Sequence, residues 1–244
     1  MEIRHVQLIE AARARGVVIV IDVIRAFSVA AYALAGGARG LWLVRAVEEA
    51  FALRQQEPEA LLAGEVGGRL IPGFDFNNSP ARMAEADVQG RLLIQRTGAG
   101  TQGAVGATGA AHILPCSLVN ARATAIYARQ LAGATCGLVT LMPTESAHGL
   151  EGYRLEDSIC ADYLEALLLE RSDAPDVLAD GIADLRASGR FAVFEAGDPD
   201  FPPDDIPAFL AADRFAFAMF GVRERAQQME YIHVRRVDVP LASE

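Results

Sequence analysis

Residues 17–44 read "VVIVIDVIRAFSVAAYALAGGARGLWLV". The opening "VVIVIDV" (17–23) is short, aliphatic and β-branched, which predicts a buried strand. The "FSVAAYALAGGA" that follows is alanine-rich and closes on glycines, as a helix with its stop signal does. "LWLV" (41–44) then predicts a second strand. Strand, helix and strand in that order are the unit of a parallel sheet, because the helix must carry the chain back across one face.

The alternation continues through the first 142 residues. "LLAGEV" (61–66), "LLIQ", "HILPCS" (112–117) and "CGLVTLM" (136–142) predict further strands, separated by "AVEEAFALRQQ", "SPARMAEA", "TQGAVGATGAA" and "NARATAIYARQLAGA" as helices. An α/β fold with a mostly parallel, mixed sheet covered on both faces is expected. Ser79 before Pro80 marks one helix start, and Asn120 is placed to cap the helix that runs to about Leu131. "LEDSICADYLEALLLE" (155–170) carries a helical apolar stripe through Ile159, Tyr163, Ala166, Leu167 and Leu169. "DAPDVLADGIADLRASG" and "PDDIPAFLAADRFAFAM" predict two more helices, with "AGDPDFPPDD" between them as an exposed turn. "YIHVRRVDV" (231–239) alternates as a last strand at a sheet edge does. One domain over 1–244 is expected, with a composition shift near 145–155 as the one candidate subdomain boundary.

Composition narrows the function classes. The 244 residues are 52% hydrophobic and 22% charged, an ordinary globular balance. No apolar run reaches the roughly 18 residues of a membrane span, and "MEIRHVQLIEAARARG" carries charge where a secretory signal would be apolar. A cytoplasmic protein without a membrane partner is expected. Cys116, Cys136 and Cys160 fit neither a disulfide framework nor a metal knuckle and read as buried thiols. The net charge of −10 argues against nucleic acid, whose binding rests on clustered cations. All 22 basic residues are arginine. Lysine chemistry is therefore excluded, and arginine is left as the bidentate ligand for any bound anion.

In an open parallel sheet, ligands bind outside the carboxyl ends of the strands, and the polar residues gather there. The first strand ends in Asp22, Arg25 and Ser28. The third runs into "GEVGGRLIPGFDFNNSP" (64–80), a long loop with Glu65, Asp75, Asn77, Asn78 and Ser79, anchored by Phe74 and Phe76. Arg96, Thr97, Gly100 and Thr101 follow the fourth strand, Ser117 and Asn120 the fifth. A bound anion is the simplest reading. Asp22 alone reads equally well as a helix cap, Arg25 as its structural partner, and "LEDS" as acids at a helix start. "TGAGTQG" lacks the P-loop lysine and does not match GxGxxG, which argues against a nucleotide. His112 and His233 sit in strands; His148 is the histidine placed to approach a site, and none has metal-ligand spacing. Asp22, Glu65 and either Glu156 or Asp157 would together suit a hard cation such as magnesium bridging to a phosphate.

As a set, "VIDVIRAFS", "GEVGG", "PGFDFNNSP", "RTGAGTQG", "SLVNARAT" and "LEDSICADY" resemble the 2-phosphosulfolactate phosphatase family over residues 16–170, with a weaker echo in "DIPAFLAADRFAFAM". The resemblance implies a three-layer α/β/α sandwich and a magnesium-dependent acid phosphatase acting on phosphate esters of small 2-hydroxy carboxylic acids, best known in coenzyme M biosynthesis. It points to Asp22, Arg25, Glu65 and Asp157 as catalytic and to Asp22, Glu65, Glu156 and Asp157 as metal ligands. Asp75, Asn78, Ser79, Thr97, Gly100, Thr101, Ser117 and Asn120 would bind substrate. Where many relatives have a Thr-Thr-Asn-Gly-Thr-Arg type of loop, this chain has "TGAGTQG", with Arg96 upstream to replace the lost charge. An anion-binding domain without turnover and a lyase or isomerase on a phosphorylated acid remain the alternatives. A homo-oligomer is compatible with the sequence.

Overall fold

The computed structural model describes residues 1–135, 137–144, 155–226 and 228–240. Cys136, His148 and most of the expected boundary at 145–155 lie outside them. The strands are β1 (Glu2–His5), β2 (Val17–Ile21), β3 (Gly40–Val44), β4 (Leu61–Val66), β5 (Arg69–Leu70), β6 (Leu92–Arg96), β7 (His112–Cys116), β8 (Leu138–Pro143), β9 (Phe217–Ala226) and β10 (Met229–Asp238). They form one mixed sheet in the order β1-β8-β2-β7-β9-β10-β3-β6-β4-β5. The helices are α1 (Ala26–Ala35), α2 (Val47–Gln56), α3 (Pro80–Glu85), α4 (Gly100–Gly106), α5 (Ala121–Ala134), α6 (Glu156–Leu168), α7 (Ala174–Ala187), α8 (Ala192–Glu195) and α9 (Asp205–Leu210). Among the described residues no helix is long and apolar enough to cross a membrane.

Period-two alternation with both faces apolar explains the layers. In β2, Val18 and Val20 pack with α1 and α4 on one face, while Val17, Ile19 and Ile21 pack with α5 and α6 on the other. All five are fully buried, and each contributes about 1.5–3 kcal/mol of hydrophobic stabilisation. In β3 and β6, Leu41, Leu43 and Leu93 join the first core. Val44, Leu92 and Ile94 meet Ala50 and Leu53 of α2 on the far face. The result is an α/β/α sandwich.

Two expectations are corrected. The stretch "PDDIPAFLAADRFAFAM" is helical only as far as Leu210, and from Phe217 it is strand β9. β10 is not at an edge: it pairs antiparallel with β9 on one side and β3 on the other. The hairpin β9–β10 thus joins two parallel blocks, β1-β8-β2-β7 and β3-β6-β4.

This junction positions the site. β2 and β4 stand six places apart in the strand order, which in a flat sheet would separate them by roughly 29 Å. Helix α4 nevertheless touches β2 and β7 of one block, β3 of the other, and β10 between them. The sheet curls around α4, and the carboxyl ends of β2 and β4 open on one cavity.

Candidate active site

The cavity has a volume of about 580 Å³, and its wall includes Asp22, Arg25, Glu65, Asn78, Glu156 and Asp157, all expected from sequence. Asp22 follows β2. Its Oδ1 accepts from the Ala26 N–H at 2.9 Å, capping α1, and its Oδ2 accepts from the Gly100 N–H at 2.9 Å. Holding the first amide of α1 and standing on the cavity wall are therefore compatible for one side chain. Glu65, at the end of β4, accepts from the Gly98 N–H through Oε1 and from the Gly68 N–H at 2.6 Å through Oε2. Gly98 and Gly100 are two residues apart, a span of at most about 7 Å. One short peptide therefore holds carboxylates from both parallel blocks.

That peptide is the "TGAGTQG" loop, read from sequence as a source of amides for an anion. The anions its Gly98 and Gly100 amides meet are the protein's own carboxylates, at the start of α4 where N–H groups and the helix dipole favour negative charge. Burial pushes the Asp22 carboxyl up to about 6; the Ala26 and Gly100 amides pull it down, and the charges of Glu65 and Glu156 raise it further. Glu156 lies against Arg190 through two parallel bonds of 2.9 and 2.6 Å. Asp157 accepts from Val23 N–H at 2.7 Å and from the Thr144 N–H and hydroxyl at 3.2 and 3.3 Å, tying α6 to the ends of β2 and β8.

The other expected residues do not line the cavity. Asp75 accepts from Leu62 N–H at 2.8 Å and pairs with Arg54 at 2.9 Å, holding the loop beside β4. Asp75→Ala is accordingly expected to cost about 1–2 kcal/mol of stability, read by urea unfolding. Asn77 bonds Asp200, and Ser79 caps α3 at Arg82 N–H while donating to Asp205 at 2.6 Å. Arg96 donates to the Glu65 carbonyl at 2.7 Å. Thr97 and Thr101 bond each other. Ser117 shares a 2.7 Å bond with Ser28, and Asn120 bonds Thr124 and the Ser117 amide rather than capping α5 with its side chain.

Sequence reasoning missed the cavity's fourth wall. Arg190, Phe194 and Phe201 line it, and Asp205, in a segment read as an exposed turn, is fully buried. Phe194 just before "AGDPDFPPDD" and Phe201 within it are the signal in the sequence that this turn packs inward.

Among the described residues, no three His, Cys, Asp or Glu side chains form a closed ligand set. Asp22 and Glu65 offer something narrower. Among the described residues each of their oxygens accepts a single N–H, and a carboxylate oxygen carries a second lone pair. Such a pair suits a hard cation that takes one or two protein carboxylates and completes its shell with water and a phosphate.

The family model of 2-phosphosulpholactate phosphatase matches residues 3–186. The chain is 36% identical over 191 residues to the probable 2-phosphosulfolactate phosphatase of Bacillus subtilis (strain 168), an alignment covering 77% of this chain and 79% of that one. It is 40% identical over 152 residues to the protein of the same description from Deinococcus radiodurans, covering 62% of each chain. With that of Thermus thermophilus it shares 44% over 117 residues, 48% of each.

Proposed function

The chain belongs to the 2-phosphosulfolactate phosphatase family and is a phosphoric monoester hydrolase; on that premise we propose that it hydrolyses, with magnesium, the phosphate ester of a small 2-hydroxy carboxylic acid such as 2-phosphosulfolactate. The observation that carries this reading is the pair Asp22 and Glu65, drawn from two sheet blocks onto the Gly98–Gly100 peptide inside one cavity. Among the described residues four carboxylates against two arginines, Arg25 and Arg190, line the cavity, a balance that disfavours a phosphorylated acid. A cation between two of the carboxylates reverses that.

Asp22 and Glu65 would hold the magnesium. Bound there, it would draw charge from the phosphoryl oxygens as the ester bond breaks and water supplies the new oxygen on phosphorus. The amides of Gly68, Gly98, Gly100 and Ala26 keep the two carboxylates from reorienting. Asn78 lines the same wall, and its Nδ2 amide group would donate to the substrate's anionic oxygens. Asp22, protonating near 6 in the metal-free protein, binds either a proton or the cation, and metal affinity should fall as pH drops below that value.

A screen of small phospho-hydroxy acids tests the reading. Inorganic phosphate should appear with magnesium and fall to background in excess chelator. Full turnover in chelator would remove the metal from the proposal, and phosphate from none of the acids would remove the substrate class.

A further inference from the structure

Asp205 stands in α9, beyond residues 3–186 matched by the family model. Its carboxylate is fully buried and fully engaged. Oδ2 accepts from Arg25 Nη1 at 2.8 Å; Oδ1 accepts from the Ser79 hydroxyl at 2.6 Å and the Ala81 N–H at 3.1 Å. A buried carboxylate persists only where such bonds replace water.

Arg25, expected from sequence to be catalytic, lines the cavity and also braces it through protein contacts. It is 3% exposed and packs against Phe201, 4.7 Å from the ring centroid, and Phe194, at 5.6 Å. Nη1 also donates to the Asp200 carbonyl at 2.7 Å, and Nη2 to the Gly68 carbonyl at 3.1 Å. The Gly68 N–H in turn donates to Glu65. Asp205 therefore reaches Glu65 through Arg25 and Gly68, and reaches the Asn77–Ser79 turn, with Asn78 on the cavity wall, through Ser79. Close packing fixes the connection: a Cβ on Gly68 would lie 2.3 Å from Phe201 Cζ.

We infer that Asp205 is a positioning residue for the reaction, acting through Arg25 and Ser79 to hold Glu65 and Asn78 at the cavity, and that the 194–205 segment is part of the catalytic apparatus. The kinetic arm of the inference rests on the hydrolase reading above.

The test compares Asp205→Asn with Ser79→Ala and with a control, Asp213→Asn. Asp213 bonds Arg122 and Tyr163 and does not line the cavity. All three are assayed in the full chain well below their melting temperatures, on the best substrate of the phosphate-release screen. Asp205→Asn should lower kcat about 100-fold with KM changed less than threefold, and Ser79→Ala should lower kcat about 10-fold. Asp213→Asn should lose melting temperature but keep kcat. Amide exchange at Gly68, Ala81 and Arg82 should quicken at least 10-fold in Asp205→Asn and stay at wild-type rates in Asp213→Asn. Should Asp205→Asn fail to fold, Ser79→Ala carries both readouts. Wild-type kcat and unchanged exchange in the Asp205 or Ser79 variant would overturn the inference. A wild-type protein that releases no phosphate from any acid would overturn the hydrolase reading instead, and the exchange arm would still judge the strut.

Discussion

Asp22→Asn should lower kcat on the order of 10³-fold, the equivalent of several kcal/mol of lost transition-state stabilisation, while changing how stability depends on pH in the opposite sense to a damaged core. The Asp22 carboxyl has the ordinary value of 3.8 in the unfolded chain, and burial pushes it up to about 6 in the folded one. Below 3.8 both states are protonated and the shift has no effect. Between 3.8 and about 6 the folded state keeps a proton that the unfolded state releases, so wild-type stability falls as pH rises. Above that range the full penalty applies, about 3 kcal/mol for a shift of this size.

Asparagine has no such titration. The variant accepts only one of the two N–H groups that Asp22 bonds, a fixed loss of about 1–3 kcal/mol at every pH. The difference in unfolding free energy, variant minus wild type, should therefore rise by about 2–2.5 kcal/mol between pH 4 and pH 7. Urea unfolding in chelator at three pH values reads it. Magnesium added at pH 7 should raise the melting temperature of wild type and leave that of the variant unchanged. Parallel pH profiles would show that Asp22 carries no buried charge, and retained kcat would return it to the role of a helix cap alone.

The sequence made the parallel blocks legible because their strands are buried on both faces, so "VVIVI" and "LLAGEV" stand out as short apolar runs between alanine-rich helices. It hid β9 because "RFAFAMF" satisfies a helical composition while alternating at the strand period, and the pairing that selects the strand comes from β10. It hid the central place of β10 because strand order depends on which edges the chain finds in space. The site divides in the same way. Asp22, Glu65, Glu156 and Asp157 could be found at strand and helix ends. Nothing local says that Thr97 and Thr101 turn toward each other, that Ser117 turns toward Ser28, or that Arg25 turns toward a carboxylate 180 residues away. Polar residues at a strand end announce a polar need; whether protein or ligand meets it is decided by packing.

Gly64→Ala, one residue before cavity-lining Glu65, should be strongly destabilising for a single added methyl. Gly64 adopts φ +146°, and a Cβ there would lie 1.9 Å from the Arg96 carbonyl oxygen and 2.9 Å from its carbon. The obstacle is backbone of β6, which pairs with β4 at that residue. No side chain can swing aside, so the end of β4 must leave the sheet and carry Glu65 with it. Overpacking and backbone strain together should cost about 3 kcal/mol or more. Because Glu65 is displaced, turnover should fall on the order of 100-fold even at temperatures where the variant stays folded. Gly67 is the control. Its φ is +60°, with nothing within 4 Å of a Cβ, so Gly67→Ala should cost only about 1 kcal/mol and leave kcat within threefold. Denaturant unfolding and phosphate release on both variants decide the matter. Equal stabilities would show that β4 can leave β6 at little cost, and a destabilised Gly64 variant with wild-type kcat would separate the strand end from the chemistry.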